Sequence, residues 1–262
     1  MLMHHLRVWR QFWLVAFMRQ SAFRANFFLS LFEGLAQVVL VVTTFAIIYQ
    51  YTPDIAGWTQ AQVLIVVGLY RIVDGIINAQ VAPNMREIDK YVQTGELDLL
   101  LLRPVESQFL VSTRLVALPE LINIPIGLAL LIYAGLQANL AWSISGILLA
   151  LMLLLCGTLM IYAVWFMMMA LALWFTWSPF ESMVGNLFSI GRYPVDFFQR
   201  QVRALLTFIV PVAFATTFPA EALLGQLDPL IIVIAPIFAL VLLLLSQRFW
   251  RWGLRSYGSA SS

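Results

Sequence analysis

Cysteine, lysine and histidine are almost missing from this chain of 262 residues, and charge of either sign is scarce. Cys156 is the one cysteine and lies inside a long apolar run. That excludes an internal disulfide or a cysteine-built metal site and makes it a packing residue. His4 and His5 are adjacent, and neighbouring positions of a helix face different ways, which argues against shared metal ligation. The one lysine, Lys90, belongs to no Gly-x-x-x-x-Gly-Lys-Ser/Thr loop, so the chain carries no recognisable means of hydrolysing ATP. An intramembrane enzyme would need a His-x-x-x-x-His pair, an Asp-x-x-Asp cluster or a Ser and His at membrane depth, and the apolar runs contain none of these.

What is abundant is apolar surface. Hydrophobic residues make up 62% of the chain and charged ones 11%, with a mean hydropathy of +0.89. An ordinary soluble domain has about 25% charged residues, and a soluble fold could not hide so much apolar surface. The net charge of +2 matters less than where the charges stand. The first long apolar run, after Asn26, is too long for a cleavable signal segment and is expected to stay as an anchor.

Crossing about 30 Å of hydrocarbon takes roughly 20 helical residues. Six runs of suitable character are predicted as spans: 27–49, 61–82, 109–136, 142–175, 202–218 and 230–249. The fourth is longer than a bilayer needs and is expected to tilt or project; the fifth is short. Arg and Lys are retained on the cytoplasmic side, so their placement gives orientation. The N-terminal segment carries Arg7, Arg10, Arg19 and Arg24, and the connection between spans two and three carries Arg86, Lys90, Arg103 and Arg114. Arg192, Arg200 and Arg203 lie between spans four and five, and Arg248, Arg251 and Arg255 follow span six. The connections 50–60, 137–141 and 219–229 contain no basic residue. This alternation predicts six spans in a single membrane domain, with both termini cytoplasmic.

Before the first span, Leu6, Trp9, Trp13 and Ala16 share one helical face, with Arg7 and Gln11 opposite, which predicts a helix over 1–25 lying in the membrane interface. Ser178-Pro179-Phe180-Glu181 reads as a helix start, so 178–200 is expected to be a cytoplasmic helix and bend. The run Ala220 to Leu224 is too short to cross, and 219–229 is expected to dip into the outer leaflet as a re-entrant element. The tail from Ser256 is expected to lack order.

The longest cytoplasmic connection, 86–104, holds a compact unit. Thr94 and Gly95 can break the chain, Glu96 suits a helix start, and Pro104 ends the segment. The four leucines 99–102 are too few to cross a bilayer and must be buried against protein or lie at the lipid surface. A docking helix is the natural reading, with a plain surface connection as the alternative.

Gly95-Glu96-Leu97-Asp98-Leu99-Leu100 followed by Arg103-Pro104-Val105 resembles the cytoplasmic loop of ABC-2 type exporter permeases. More narrowly, it resembles the bacterial subfamily of about 260 residues formerly catalogued as a domain of unknown function. Arg192-Tyr193-Pro194, Pro211-Val212-Ala213-Phe214 and Pro219-Ala220 are similar to that subfamily's second signature. The resemblance covers essentially the whole chain. It implies an all-α, type V exporter-like membrane fold with six spans, an interfacial helix, a coupling helix between spans two and three and a re-entrant element between spans five and six.

It further implies a bacterial inner-membrane permease, working with a separate dimeric ABC ATPase that holds ATP and Mg, and a second permease chain, more often different than identical. The coupling residues would be Gly95, Glu96, Leu97, Asp98, Leu99, Leu100, Arg103 and Pro104, with Leu97 and Leu100 as knobs and Glu96, Asp98 and Arg103 at the rim. The cargo would be a hydrophobic or amphipathic drug, lipid or glycan-lipid moved outward; membrane lipid surrounds the chain and no nucleic acid is involved.

Ionisable residues within spans are costly and mark function or compensating partners. Arg71 and Asp74 are three apart on one helix, so they can neutralise each other, either structurally or while lining a path or subunit interface. Glu120 lies between Pro119 and Asn123 with Pro125 beyond, in a helix expected to kink, whose freed carbonyls need partners. Glu33 is near enough to the inner boundary to reach water. Arg71, Asp74 and Glu120 also keep open an ion-coupled transporter or a channel, although no internal repeat supports it.

Overall fold

The computed structural model describes residues 2–20, 24–175 and 180–258. Among them every regular element is helical. Five helices are long and apolar enough to cross a membrane: Phe27–Ile48, Gln60–Thr94, Leu118–Gln137, Ile144–Leu173 and Pro229–Ser256. Ser178 and Pro179, expected to open a helix, lie outside the described residues, as does the tail from 259.

Helix α1 (Leu2–Gln20) leads to α2 (Arg24–Ile48), of whose apolar window only 17% is buried. After the turn at Trp58, α3 (Gln60–Ile76) passes through a π-helical turn, Ile77–Val81, into α4 (Ala82–Thr94), a continuous helix of 35 residues. The Thr59 backbone N–H donates to Gln62 Oε1 at 3.0 Å and closes the start of this rod. Pro83 lacks an N–H, so the carbonyl of Ala79 has no helical partner four residues on. It accepts instead from the Ala117 N–H at 2.8 Å.

That bond marks where the expected third span, 109–136, breaks. The chain forms α5 (Glu96–Leu101) and α6 (Ser107–Thr113), then runs irregularly over 114–117 into a 3-10 turn, Leu118–Ile122, and α7 (Asn123–Gln137). Pro119 disfavours helix at the residue before it and removes a donor. Buried Asn84 supports the break from α4: Nδ2 donates to Leu115 O at 2.7 Å and Oδ1 accepts from Leu115 N at 2.8 Å. The spanning part is therefore 118–137, while α6 packs separately. There Gln108 Nε2 donates to Ser246 Oγ at 3.2 Å and Trp250 Nε1 to Ser107 Oγ at 3.0 Å.

Helix α7 lies against α3 where two glycines meet. A Cβ on Gly127 would come within 2.7 Å of Gly68 O, so only hydrogen allows the backbones this close. Helix α8 (Ile144–Ala170) begins at Ser143, whose Oγ accepts from Gly146 N at 3.1 Å. Helix α13 (Pro229–Ser256) begins at Asp228, whose Oδ1 accepts from Leu230 N at 2.9 Å, with Pro229 in its first turn.

Between α8 and α13 the chain departs from expectation. Helix α9 (Phe180–Ser189) and the residues after it run alongside α3. Phe188 packs on Tyr70, Tyr193 on Phe45, and Asp196 Oδ2 accepts from Trp58 Nε1 at 3.0 Å. Residues 180–197 thus climb to the end of the molecule that carries Trp58. The stretch 202–218, expected as the fifth span, is not one helix. Helix α10 (Arg200–Ala204) and a π turn, Leu205–Ile209, stop at Val210-Pro211, and α11 (Val212–Ala215) and α12 (Thr217–Leu224) follow. Pro211 supplies the break.

Gly157, midway along α8, abuts the backbone of Ala215, while Gly146, near its start, abuts Ala222 O. Residues 200–224 therefore enter from the Trp58 end and return to it as a hairpin. Arg203 Nη1 lies 2.8 Å from Asp196 Oδ1. It stands with Trp58, in a connection expected on the opposite side of the membrane from Arg203. The two connections thus share one end of the molecule, where the expectation set them at opposite ends.

The opposite end gathers α5, α6 and both ends of the described chain. His5 meets the Phe109 ring edge-on at 4.8 Å, and Arg251 Nη2 approaches Glu106 Oε1 at 3.5 Å. Trp9 and Trp13 of α1 donate from Nε1 to Gln80 Oε1 at 3.3 and 3.0 Å, so α1 is tied to the π turn. Ala16 is buried with that face, whereas Leu6 is exposed.

Candidate functional site

Two features stand out, at opposite ends of α4. Near its start is a polar cleft of about 500 Å³ between α2, α3, the 3-10 turn before α7, α8 and α9. The three charged residues singled out in the sequence, Arg71, Asp74 and Glu120, all line it, together with Glu33. Arg71 and Asp74 are buried; Nη1 meets Asp74 Oδ2 at 3.1 Å, and Nη2 donates to Gly34 O at 3.0 Å, which ties α3 to α2. Asp74 Oδ1 also accepts from Asn78 Nδ2 at 2.8 Å and, at 3.5 Å, from the Tyr70 hydroxyl. Each ion of this pair thus has a partner besides the other, as a buried pair requires.

Glu120 is less well served. It accepts from Ser30 Oγ at 3.4 Å and Asn123 Nδ2 at 3.3 Å, both long. Glu33, on exposed α2 one turn from Ser30, accepts from Gln37 Nε2 at 3.0 Å. Asn123 and Trp165 also line the cleft, and their Oδ1 and Nε1 atoms, closed to water, have no hydrogen-bond partner among the described residues. Sequence reasoning missed Asn123 and Trp165 as participants. Asn123 stood beside Glu120 and was legible as a polar residue at membrane depth; Trp165 is one aromatic among many and gave no signal.

At the far end of α4, Gly95 adopts φ +74°, a left-handed conformation that suits glycine and turns the chain sharply into α5. Glu96 and Asp98 occupy the first turn of α5, favourable to its dipole. The leucine faces are the reverse of the expected arrangement. Leu97 and Leu100 are 1% and 3% exposed within this chain, so they are not free to act as knobs. Leu99 and Leu102 are 66% and 82% exposed, beside exposed Glu96, Arg103 and Pro104. The helical period explains the error, since 97 and 100 do share a face, but that face packs on α4 and α6.

Residues of the second sequence signature fall at the heart of the packing. Arg192 lies 5.8 Å over the Tyr70 ring and 6.0 Å over that of Tyr193, and Val212, Ala213 and Phe214 are buried against α8.

The described residues thus form a helical domain with five helices able to cross a membrane, a charged cleft between them and the short helix α5 at one end. The chain belongs to the ABC-2 family transporter proteins, whose family description matches residues 35–261. It is a permease of the ABC transporter class. No curated protein matches it.

Proposed function

We propose that this chain is the permease subunit of an ABC exporter, moving an amphipathic or hydrophobic cargo outward under the drive of a separate dimeric ATPase. The observation that carries this is the exposed Leu99 and Leu102 face of α5, set beside Glu96 and Arg103 and attached through Gly95 to the rod that carries Arg71 and Asp74. Apolar knobs inside a charged rim suit a cleft on a soluble partner.

Lys90, Arg103, Arg114, Arg248, Arg251 and Arg255 belong to the Glu106 end, which makes that end cytoplasmic under the positive-inside rule. The partner ATPase, where ATP is bound and hydrolysed, would meet α5 there. Residues 180–197 supply the crossing that returns the chain outward, and 200–224 form a re-entrant hairpin in the outer leaflet. Irregular backbone at that depth is tolerated because α11 and α12 are covered by α8 and α3. The largely uncovered surface of α2 suits a second permease chain, different or identical, as well as lipid.

The experiment is co-purification in mild detergent. Leu99→Asp with Leu102→Asp is expected to reduce the recovered ATPase at least tenfold, while the permease keeps its thermal midpoint. ATPase retained at the wild-type level, or no ATPase recovered with the wild type, would sink the reading.

A further inference from the structure

Because the chain breaks at 114–117, α6 does not continue α7 but is tied to α13 through Ser107 and Gln108. A groove of about 550 Å³ opens between α6, the π turn, α8 and α13, a volume typical of ligand pockets. It is continuous with the surface that meets hydrocarbon. Ile144, Leu148, Leu151 and Leu155 fall on one exposed stripe of α8, and Leu155, 59% exposed, itself lines the groove. Thr158 and Tyr162 carry the same stripe on into it. The lining changes with depth. At about 1.5 Å per residue, Leu155 stands about 17 Å from the start of α8 and Leu243 about 21 Å from the start of α13. Tyr162 and Gln247 both stand about 27 Å along those helices, near the edge of a hydrocarbon layer of about 30 Å. There the polar groups bond among themselves: the Tyr162 hydroxyl donates to Ser112 Oγ at 3.0 Å and Gln108 Nε2 to Ser246 Oγ at 3.2 Å. An apolar slot that turns polar at the boundary matches an acyl chain hanging from its glycerol.

Charge around the polar end is an independent observation. Neither α6, α8 nor the π turn carries a charged residue. Glu106, the one charge among the described residues that line the groove, is held by Gln247 Nε2 at 2.8 Å and approached by Arg251 Nη2 at 3.5 Å. The connection 86–114, Glu106 included, holds four basic and five acidic residues. The end of α13 adds Arg248, Arg251 and Arg255, all exposed, and no acidic residue follows Asp228. Trp252, exposed beside them, suits the membrane boundary. Helix α1, which touches Gln80 and Phe109 of the opposite wall, adds three arginines and no acid. The excess is positive, and it surrounds the end where a lipid headgroup would lie.

We propose that this groove seats an anionic phospholipid of the leaflet at the Glu106 end, with one acyl chain along Leu155 and Leu243 and the phosphate met by Arg248 and Arg251. The seat needs only the membrane setting; that the leaflet is the inner one rests on the orientation given under the proposed function. Ile76 and Val81 of the long helix also line the groove, so a seated chain wedges that helix at its π turn.

The test is photo-labelling, which needs no turnover. The full-length permease with its co-purifying ATPase, in phosphatidylcholine nanodiscs, receives a trace of phosphatidylglycerol or of phosphatidylcholine, each carrying a diazirine midway along one acyl chain. Adducts are mapped by peptide mass spectrometry. An arginine at a membrane surface favours an anionic lipid about fivefold, so the anionic probe is expected to label 107–113 and 155–162 at least fivefold more than the zwitterionic one. Exposed α2 should take both probes alike. Arg248→Gln with Arg251→Gln, both at exposed positions, should bring the two probes to near equality in the groove. Leu155→Trp, at a lipid-facing position, should cut groove labelling by both probes several-fold and leave α2 unchanged. Equal groove labelling by the two probes in the wild type, adducts confined to α2 and the outer half of α13, or a preference untouched by the arginine pair overturns the proposal. A second permease chain filling the groove would give the second of these results. The co-purified ATPase is quantified in the same samples. An intact complex without anionic preference removes the lipid seat alone, whereas groove labelling in a chain that recovers no ATPase keeps the seat and removes the exporter reading.

Discussion

Arg203 and Asp196 stand 2.8 Å apart at the end of the molecule marked by Trp58, whose indole N–H donates to the same carboxylate. Half-exposed pairs of this kind contribute only about 0–1 kcal/mol. Their weight here is positional, because they fix which end of the molecule the region after α9 reaches.

Labelling of single cysteines checks that position. In a Cys156→Ala background, Arg200→Cys and Asp54→Cys are expected to react with a membrane-impermeant maleimide from the same side, and Lys90→Cys from the other. Reaction of the cysteines at 200 and 90 from one side would restore the inner placement of that connection.

Helix α5 should separate into two behaviours. Leu97→Ala or Leu100→Ala removes a side chain packed inside the chain and is expected to cost about 2–5 kcal/mol, read as a lowered thermal midpoint. Leu99→Ala and Leu102→Ala, on the exposed face, should leave the midpoint within error.

Breaking the buried pair in the cleft is expected to be more damaging than deleting it. Asp74→Asn strands the Arg71 guanidinium and should cost about 3–5 kcal/mol, whereas Arg71→Met with Asp74→Leu should recover much of that loss. Thermal unfolding of the three proteins in one detergent makes the comparison.

A pH dependence belongs to Glu221, on the returning arm of the outer hairpin. Burial, then the charges of Asp196 and Asp228, push its carboxyl from 4.5 up to about 7, against the pull of Arg203. A folded-state value above the unfolded one means that its contribution to stability is complete below about 4.5 and is lost as pH rises through about 7. Glu221→Gln should therefore raise the thermal midpoint at pH 8 and lose that advantage toward pH 5. Parallel curves for the two proteins across that range would contradict the assignment.

Close packing of α8 on the hairpin gives one more. Gly157→Val would drive methyl groups into the backbone of Ala215 and is expected to destabilise by several kcal/mol or abolish folded yield in size-exclusion chromatography.

The sequence displayed its long apolar helices, the charge-bearing α3 and the short helix after Gly95 because each rests on local properties: run length, an isolated ion, a glycine followed by an acidic turn. Arg71, Asp74 and Glu120 were legible one by one, since charge at membrane depth is conspicuous anywhere. Their convergence was not, because α3 and α7 meet through Gly68 and Gly127, and a small residue does not announce its neighbour. The stretch 202–218 was misread as one helix for a related reason. Residues 180–197 are punctuated by Gly191 and Pro194 and look like a loop, while 202–218 is apolar enough to look like a span. Only tertiary contacts with Phe45, Tyr70 and Trp58 tell the two apart. Likewise, helical period grouped Leu97 with Leu100 correctly, but period alone does not say whether that stripe faces the chain's own core or a visitor.

The π turn at Ile77–Val81 gives the long helix a fulcrum. At about 1.5 Å per residue, the arm from Ala79 to Gly95 is about 24 Å and the arm from Ala79 to Arg71 about 12 Å. A stiff rod rocking at that turn would convert a sideways push of about 4 Å at α5 into about 2 Å of opposite travel at the Arg71–Asp74 pair. Gln80, held by the two indoles of α1 and itself donating to Thr113 O at 3.3 Å, sits at the pivot, so α1 braces the bearing on which such a lever would turn.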